Sequence, residues 1–185
     1  MNVLIIAPAW VGDMIMSQVL YKVLEGLHQN LQLTVVAPAQ TAVLAMRMPE
    51  VMGVETLPVG HGELGFWVRY QLGKKLSREA YNQAFVLPNS LKSALVPFWA
   101  GIQKRTGWRG ECRYGLLNDL RVLDTLQYPR MVDRFAALAY ESGQTLPSDL
   151  PHPKLDVDYE AQSALLGRLG LQVDRPILVL CPGAE

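Results

Sequence analysis

Short apolar runs alternate along the chain with longer stretches in which apolar residues return every three or four positions. Residues 3–6, 33–37, 54–57, 84–87 and 177–180 are brief, β-branched and bounded by Pro, Gly or Asn, which predicts buried strands. Between the first two, residues 14–27 carry Ile15, Val19, Leu20, Val23, Leu24 and Leu27 at helical spacing, with Gly26 and Asn30 as stop signals. Residues 64–78, 91–101, 131–142 and 159–169 also read as helices. Strands that are apolar throughout, alternating with helices and free of hairpin signals, predict a parallel sheet buried on both faces. The fold class expected is therefore α/β: a Rossmann-like parallel sheet with helices on both sides.

Two regions break this rhythm. Residues 104–125, "KRTGWRGECRYGLLNDLRVLDT", hold glycines, five Lys or Arg residues and few strand-like runs, and read as a long ordered loop. Residues 143–158, "GQTLPSDLPHPKLDVD", contain three prolines and read as an interdomain linker. One helix, one strand and "CPGAE" follow. A strand delivered into a Pro-Gly turn opens an α/β domain, so the chain reads as residues 1–150 of a first domain including the start of the linker. Residues 151–185 then hold the linker's end and the first elements of a second, truncated domain.

Composition changes this picture little. Half of the 185 residues are hydrophobic, enough for a full core. Lys+Arg and Asp+Glu balance at 17 each, so no global field recruits nucleic acid, and any polyanion site must be a local cluster. The two cysteines, Cys112 and Cys181, form no CxxC and read as reduced cytosolic thiols. The N-terminus lacks a basic segment, and Asp13 interrupts its apolar stretch, unlike a signal peptide. A soluble, cytoplasmic protein is expected.

The candidate chemistry begins at "APAWVGDMIMSQ", residues 7–18, where the first strand should turn into a helix. One glycine stands where the dinucleotide fingerprint G-x-G-x-x-G needs three. Ligands of doubly wound sheets bind beyond the carboxyl ends of the strands, which puts Asp13 at that rim. Its carboxylate either caps the helix start, where the dipole stabilises negative charge, or takes a proton late in a reaction whose attacked centre becomes cationic. The sequence pattern leaves both open.

The stretches "MNVLIIAPAWVGDMIMSQ", "LPNSLKSALVPFWAGI", "RTGWRGECRYGLLNDLR" and "CPGAE" occur in an order that resembles the heptosyltransferases of Gram-negative core-oligosaccharide synthesis. The resemblance runs along essentially the whole chain. It implies the N-terminal half of a GT-B glycosyltransferase, with the acceptor held by the N-terminal domain and ADP-heptose mainly by the C-terminal one. It further implies inverting transfer of heptose to heptosyl-Kdo2-lipid A in lipopolysaccharide synthesis, with no cofactor or metal. Asp13 would be the base, Gly12 would face the donor, and Gly183, Ala184 and Glu185 would stand at a donor-contacting turn. An intact member continues beyond "CPGAE" with a donor-binding domain, so this chain alone is expected to be inactive. Peripheral contact with the cytoplasmic face of the inner membrane is a further expectation.

An acceptor bearing carboxylates and phosphates needs cations near the cleft, and arginine suits both. Arg105 and Arg109 are the leading candidates in residues 104–121, against a plainer reading in which the loop arginines pair with Glu111, Asp119 and Asp124. Asn89, Ser90 and Lys92 follow the fourth strand at the carboxyl rim and are acceptor candidates. The basic stretch 65–78 reads either as an acceptor- or membrane-facing element or as a packed helix with a basic solvent face. Asp133 and Arg134 read as a local ion pair, and Cys181 as a small buried residue. The alternative function is a stand-alone Rossmann-like binding module for a nucleotide or phosphorylated small molecule.

Overall fold

The computed structural model describes residues 1–60, 62–171, 174 and 176–180. They form two compact units, Met1–Leu155 and Asp156–Glu185. In the first, β1 (Asn2–Ile6), β2 (Gln32–Ala37), β3 (Gly53–Thr56), β4 (Gln83–Val86), β5 (Lys104–Trp108) and β6 (Asp119–Arg121) make one parallel sheet, in the order β3-β2-β1-β4-β5-β6. Successive side chains of a strand point to opposite faces, and β1 shows what that requires. Val3 and Ile5 enter a core with α1 (Val11–Leu27), α2 (Ala39–Ala45) and α5 (Met131–Ala137), whereas Leu4 and Ile6 enter a second core with α3 (Phe66–Leu76) and the region of α4 (Leu95–Trp99). Both faces are covered, so the strand has no polar alternation to show.

The register sets the ends of the central strands level. Ile6 pairs with Val36 on one side and Val86 on the other. The segments that follow therefore leave the sheet along one rim.

Residues 104–121 are not one long loop: β5 and β6 extend the sheet there. Their pattern is hidden because β5 starts with two cations and takes its interior contacts from Thr106 and Gly107. Gln83 Nε2 donates to Thr106 Oγ1 at 2.8 Å, which donates to Asp119 Oδ2 at 2.8 Å. A Cβ on Gly107 would lie 2.9 Å from the Val86 carbonyl, so only glycine lets the strands close at that point. Arg121 binds Asp119 at 2.9 Å and donates to the carbonyls of Ala137, Leu138 and Tyr140. Those carbonyls end α5 earlier than its apolar period suggests, because a cation satisfies them in place of further helical N–H groups.

The helix expected over 91–101 is split. Pro97 has no N–H to donate back to Ser93, and the chain runs as a tight 3-10 turn over Leu91–Ala94 before α4. Helix α2 carries a short apolar pattern that the sequence reading passed over. Most of the Pro-rich segment is part of the first unit, which holds it through Gln18: Nε2 donates to the Lys154 carbonyl at 2.7 Å, and Lys154 N–H returns to Gln18 Oε1 at 2.8 Å.

The second unit contains α6 (Tyr159–Leu169), capped by Asp158 accepting from Ala161 N–H at 2.9 Å and ended by Gly170 at φ 65°. Residues 177–180, expected as a strand, are exposed and outside any ladder among the described residues. A parallel strand exists only through pairing, and no described strand of this unit pairs with it. Cys181, Gly183, Ala184 and Glu185 lie outside the described residues.

Candidate functional site

The chain leaves β1 for α1 on one face of the sheet, and leaves the adjacent β4 for the 3-10 turn and α4 on the other. Neighbouring parallel strands whose connections part in this way leave a crevice beyond their carboxyl ends. A pocket of ≈ 750 Å³ occupies it. Its walls are the segments after β1, β2, β3 and β4, with Arg69 of α3, Trp108 at the end of β5, and Met131, Arg134 and Phe135 of α5.

Asp13 stands in the first turn of α1 and lines this pocket, half-buried. The helix has no side-chain cap. Trp10, extended at φ −85°, occupies the cap position, and the first α-helical bond runs from Met14 N–H to the Trp10 carbonyl at 2.9 Å. Among the described residues, none makes a hydrogen bond or ion pair with the Asp13 side chain. Asp13 thus makes no capping hydrogen bond, although its place in the first turn still lets the helix dipole favour its charge. Gly12 is exposed, with open space where a Cβ would stand, so a ligand can approach the backbone of this turn.

Asp13 is the one carboxylate among the described lining residues; the cations are Arg69, Lys92 and Arg134. Arg69 Nε donates to the Leu64 carbonyl at 2.7 Å, and burial pulls its pKa below the ordinary guanidinium value. Lys92 Nζ reaches across to the Glu63 carbonyl at 3.1 Å. Arg134 donates to the carbonyls of Tyr128 and Pro129 at 3.1 and 3.2 Å. All these acceptors are neutral. Three cations and one carboxylate with no ion pair among them leave a positive excess, and anions are favoured there.

Asn89 and Ser90 line the pocket with Lys92, as the sequence places them. The structure does not bring Arg105 or Arg109 to it. The Arg105 guanidinium donates to the Leu116 and Ile102 carbonyls at 2.6 and 2.5 Å and lies over the Phe98 ring. Arg109 is exposed, and its backbone N–H donates to the Arg121 carbonyl. Of the loop pairings considered, Arg121–Asp119 forms, whereas Asp133 pairs with Arg130 at 2.7 Å rather than with Arg134. From sequence, Arg69 is legible only as one cation of the basic stretch 65–78, and Arg134 only as an expected ion-pair partner of Asp133. The i,i+3 spacing of Arg130 and Asp133 was the available sign that Arg134 was left for another role. Among the described residues no group of three or more His, Cys, Asp or Glu could hold a metal, and no helix is long and apolar enough to cross a membrane.

The family described as glycosyltransferase family 9 (heptosyltransferase) matches residues 69–185. The chain is 50% identical over 190 residues to lipopolysaccharide heptosyltransferase 2 of Escherichia coli K12, covering all of this chain and 55% of that protein. It is 48% identical over 199 residues to lipooligosaccharide heptosyltransferase 2 of Haemophilus influenzae, with the same coverage. The solved structure of E. coli ADP-heptose LPS heptosyltransferase II superposes with a TM-score of 0.88 at 46% identity, over 100% of this chain and 55% of that one. E. coli heptosyltransferase WaaC with ADP shares the fold at a TM-score of 0.65 and 19% identity, over 80% of this chain and 50% of that one. The chain spans about half the length of the relatives it matches.

Proposed function

The chain belongs to glycosyltransferase family 9, the heptosyltransferases, and from that premise we propose that it holds the acceptor in an inverting heptosyl transfer. The reaction moves heptose from ADP-heptose to heptosyl-Kdo2-lipid A, within the inner core of lipopolysaccharide. The observation that carries this reading is Asp13, a half-buried carboxylate with no partner among the described residues, in the first turn of α1 at the switch-point pocket.

The acceptor hydroxyl lies against Asp13. Its oxygen bonds to the anomeric carbon of the donor as the bond from that carbon to the phosphate oxygen breaks, and ADP departs with the electron pair. The hydroxyl proton passes to the Asp13 carboxylate. A carboxylate suffices because the proton leaves late, when attack on an oxocarbenium-like centre has made the hydroxyl acidic. Arg69, Lys92 and Arg134 meet the acceptor's carboxylates and phosphates, with Asn89 and Ser90 beside them. Arg105 and Arg109 would join only through contacts outside this pocket. Gly12, Gly183, Ala184 and Glu185 face the donor, most of whose contacts belong to a C-terminal half of the GT-B fold. No metal or cofactor is needed.

The acceptor's lipid puts the enzyme at the cytoplasmic face of the inner membrane, as a peripheral protein. The start of α3 suits that position. Phe66 and Trp67 are exposed there, near the pocket-lining Val59, Gly60 and Gly62, with Tyr70 and Lys74 further along the helix. Aromatic rings with a lysine fit a headgroup layer.

Steady-state kinetics of Asp13→Asn in the intact protein test the assignment. The expected result is a kcat lower by about 10²–10⁴-fold, the range of general base catalysis, with acceptor affinity unchanged within a few-fold. Retention of kcat would remove Asp13 from the chemistry.

A further inference from the structure

Arg113 is fully buried and lies outside the pocket, yet each of its hydrogen bonds ends on a residue that lines it. Nη1 donates to the Pro88 carbonyl at 2.6 Å and to Ser93 Oγ at 3.2 Å; Nη2 donates to Asn89 Oδ1 at 3.4 Å and to the Trp108 carbonyl. Nε is buried with no hydrogen-bond partner among the described residues. Among the described residues every hydrogen-bond acceptor of the guanidinium is neutral, and although the Glu111 carboxylate attracts it from nearby, burial lowers its pKa on balance, so burying this cation is costly. Such a site is hard to explain as a device for stability, since an apolar side chain of similar size fills the same space without that cost.

The loop around it grips the same rim. Glu111 N–H donates to the Asn89 carbonyl at 3.1 Å, and Glu111 Oε2 accepts from Leu91 N–H at 2.6 Å. Gly110 passes so close that a Cβ would lie 2.4 Å from the Asn89 carbonyl oxygen. The segment 108–113 is thus fastened along 88–93, the stretch that presents Asn89, Ser90 and Lys92.

We propose that Arg113 is a positioning residue for ligand binding: from behind the pocket wall it fixes the 88–93 rim that presents Asn89, Ser90 and Lys92 to an anionic ligand. The "RTGWRGECR" motif then acts as a brace for the rim rather than as a row of ligand contacts. The ligand named in the test rests on the heptosyl-acceptor reading above.

The test compares wild type, Arg113→Lys, Arg113→Met and Gly110→Ala. Calorimetric affinity for a delipidated, phosphorylated heptosyl-Kdo2 acceptor is measured well below each variant's Tm, so that only folded protein is compared. Amide hydrogen exchange is followed without ligand. Arg113→Met is expected to weaken binding by about tenfold, because the rim loses the charged hydrogen bonds that hold it in place. Arg113→Lys, which keeps the charge but not the planar fork, should recover part of that. Exchange at Leu91 and Glu111 should rise while Ile5 in β1 stays protected.

Acceptor affinity within twofold of wild type in folded Arg113 variants would overturn the proposal. So would exchange that rises equally in β1 and at the rim, which marks general loosening. If the Arg113 variants do not fold, Gly110→Ala decides on the same readouts, since it pushes the exposed loop off Asn89 and leaves the buried cation in place. If wild type itself does not bind the acceptor, the heptosyl reading fails, and the ligand-free exchange alone judges the brace.

Discussion

Asp13 and Asp119 show how placement sets what a carboxylate does. Asp13 was legible as a rim residue because a strand, a short turn and a helix fix its place, whatever the side chains around it. Its use was not legible, because only the structure shows Trp10 at the cap and Asp13 without a partner among the described residues. Asp119 instead knits β5 to β6. Burial pushes its carboxyl up, but hydrogen bonds from Arg121 and Thr106 outweigh this and hold it below the ordinary aspartate range. A depressed folded pKa gives stability that is complete above the unfolded value, about 3.9, and is lost as the pH falls through the folded value. Asp119→Asn should therefore lower Tm at neutral pH, where such charged hydrogen bonds are worth about 1.5–3 kcal/mol. The gap from wild type should shrink steadily as the pH drops below about 3.9. Melting curves followed by circular dichroism check this; a gap that stays constant with pH would contradict it. Arg69 and Arg134 mark the limit of reading by residue, since helical periodicity does not tell whether a face meets solvent or a pocket wall.

The central strands β1, β2 and β4 were readable because burial on both faces makes them apolar throughout. β5 and β6 were not, since a Thr–Gln–Asp network and a bare glycine replace apolar side chains there. The α3–α4 contact depends on a glycine in the same way. A Cβ on Gly73 would stand 2.7 Å from Trp99 Cβ and 2.9 Å from the Val96 carbonyl. Alanine favours a helix over glycine by about 1 kcal/mol, but an overpacked contact costs about 1–3 kcal/mol. Here the obstacle is α4 itself, backbone included, which cannot swing aside, so the clash wins. Gly73→Ala is expected to lower the urea midpoint with an unchanged m-value; a higher midpoint would mean that the helices part without cost.

Together these elements place one positive pocket at the switch point of a Rossmann-like sheet, in a chain that spans about half of its relatives. The sheet, the rim and the place of Asp13, Asn89, Ser90 and Lys92 along it are legible in the sequence, and all four residues line the pocket. Backbone carbonyls hold Arg105 and Arg113 away from this pocket, whereas Arg69 and Arg134 reach it from helices. The central claim is that this pocket takes a polyanionic saccharide. Calorimetric titration of the chain with the delipidated, phosphorylated heptosyl-Kdo2 acceptor, beside ADP, tests it most directly. The account predicts acceptor binding that weakens with added salt and falls about tenfold in Arg134→Ala, with little heat from ADP. Clear ADP binding with no response to the acceptor would contradict it and make the chain a nucleotide-binding module instead.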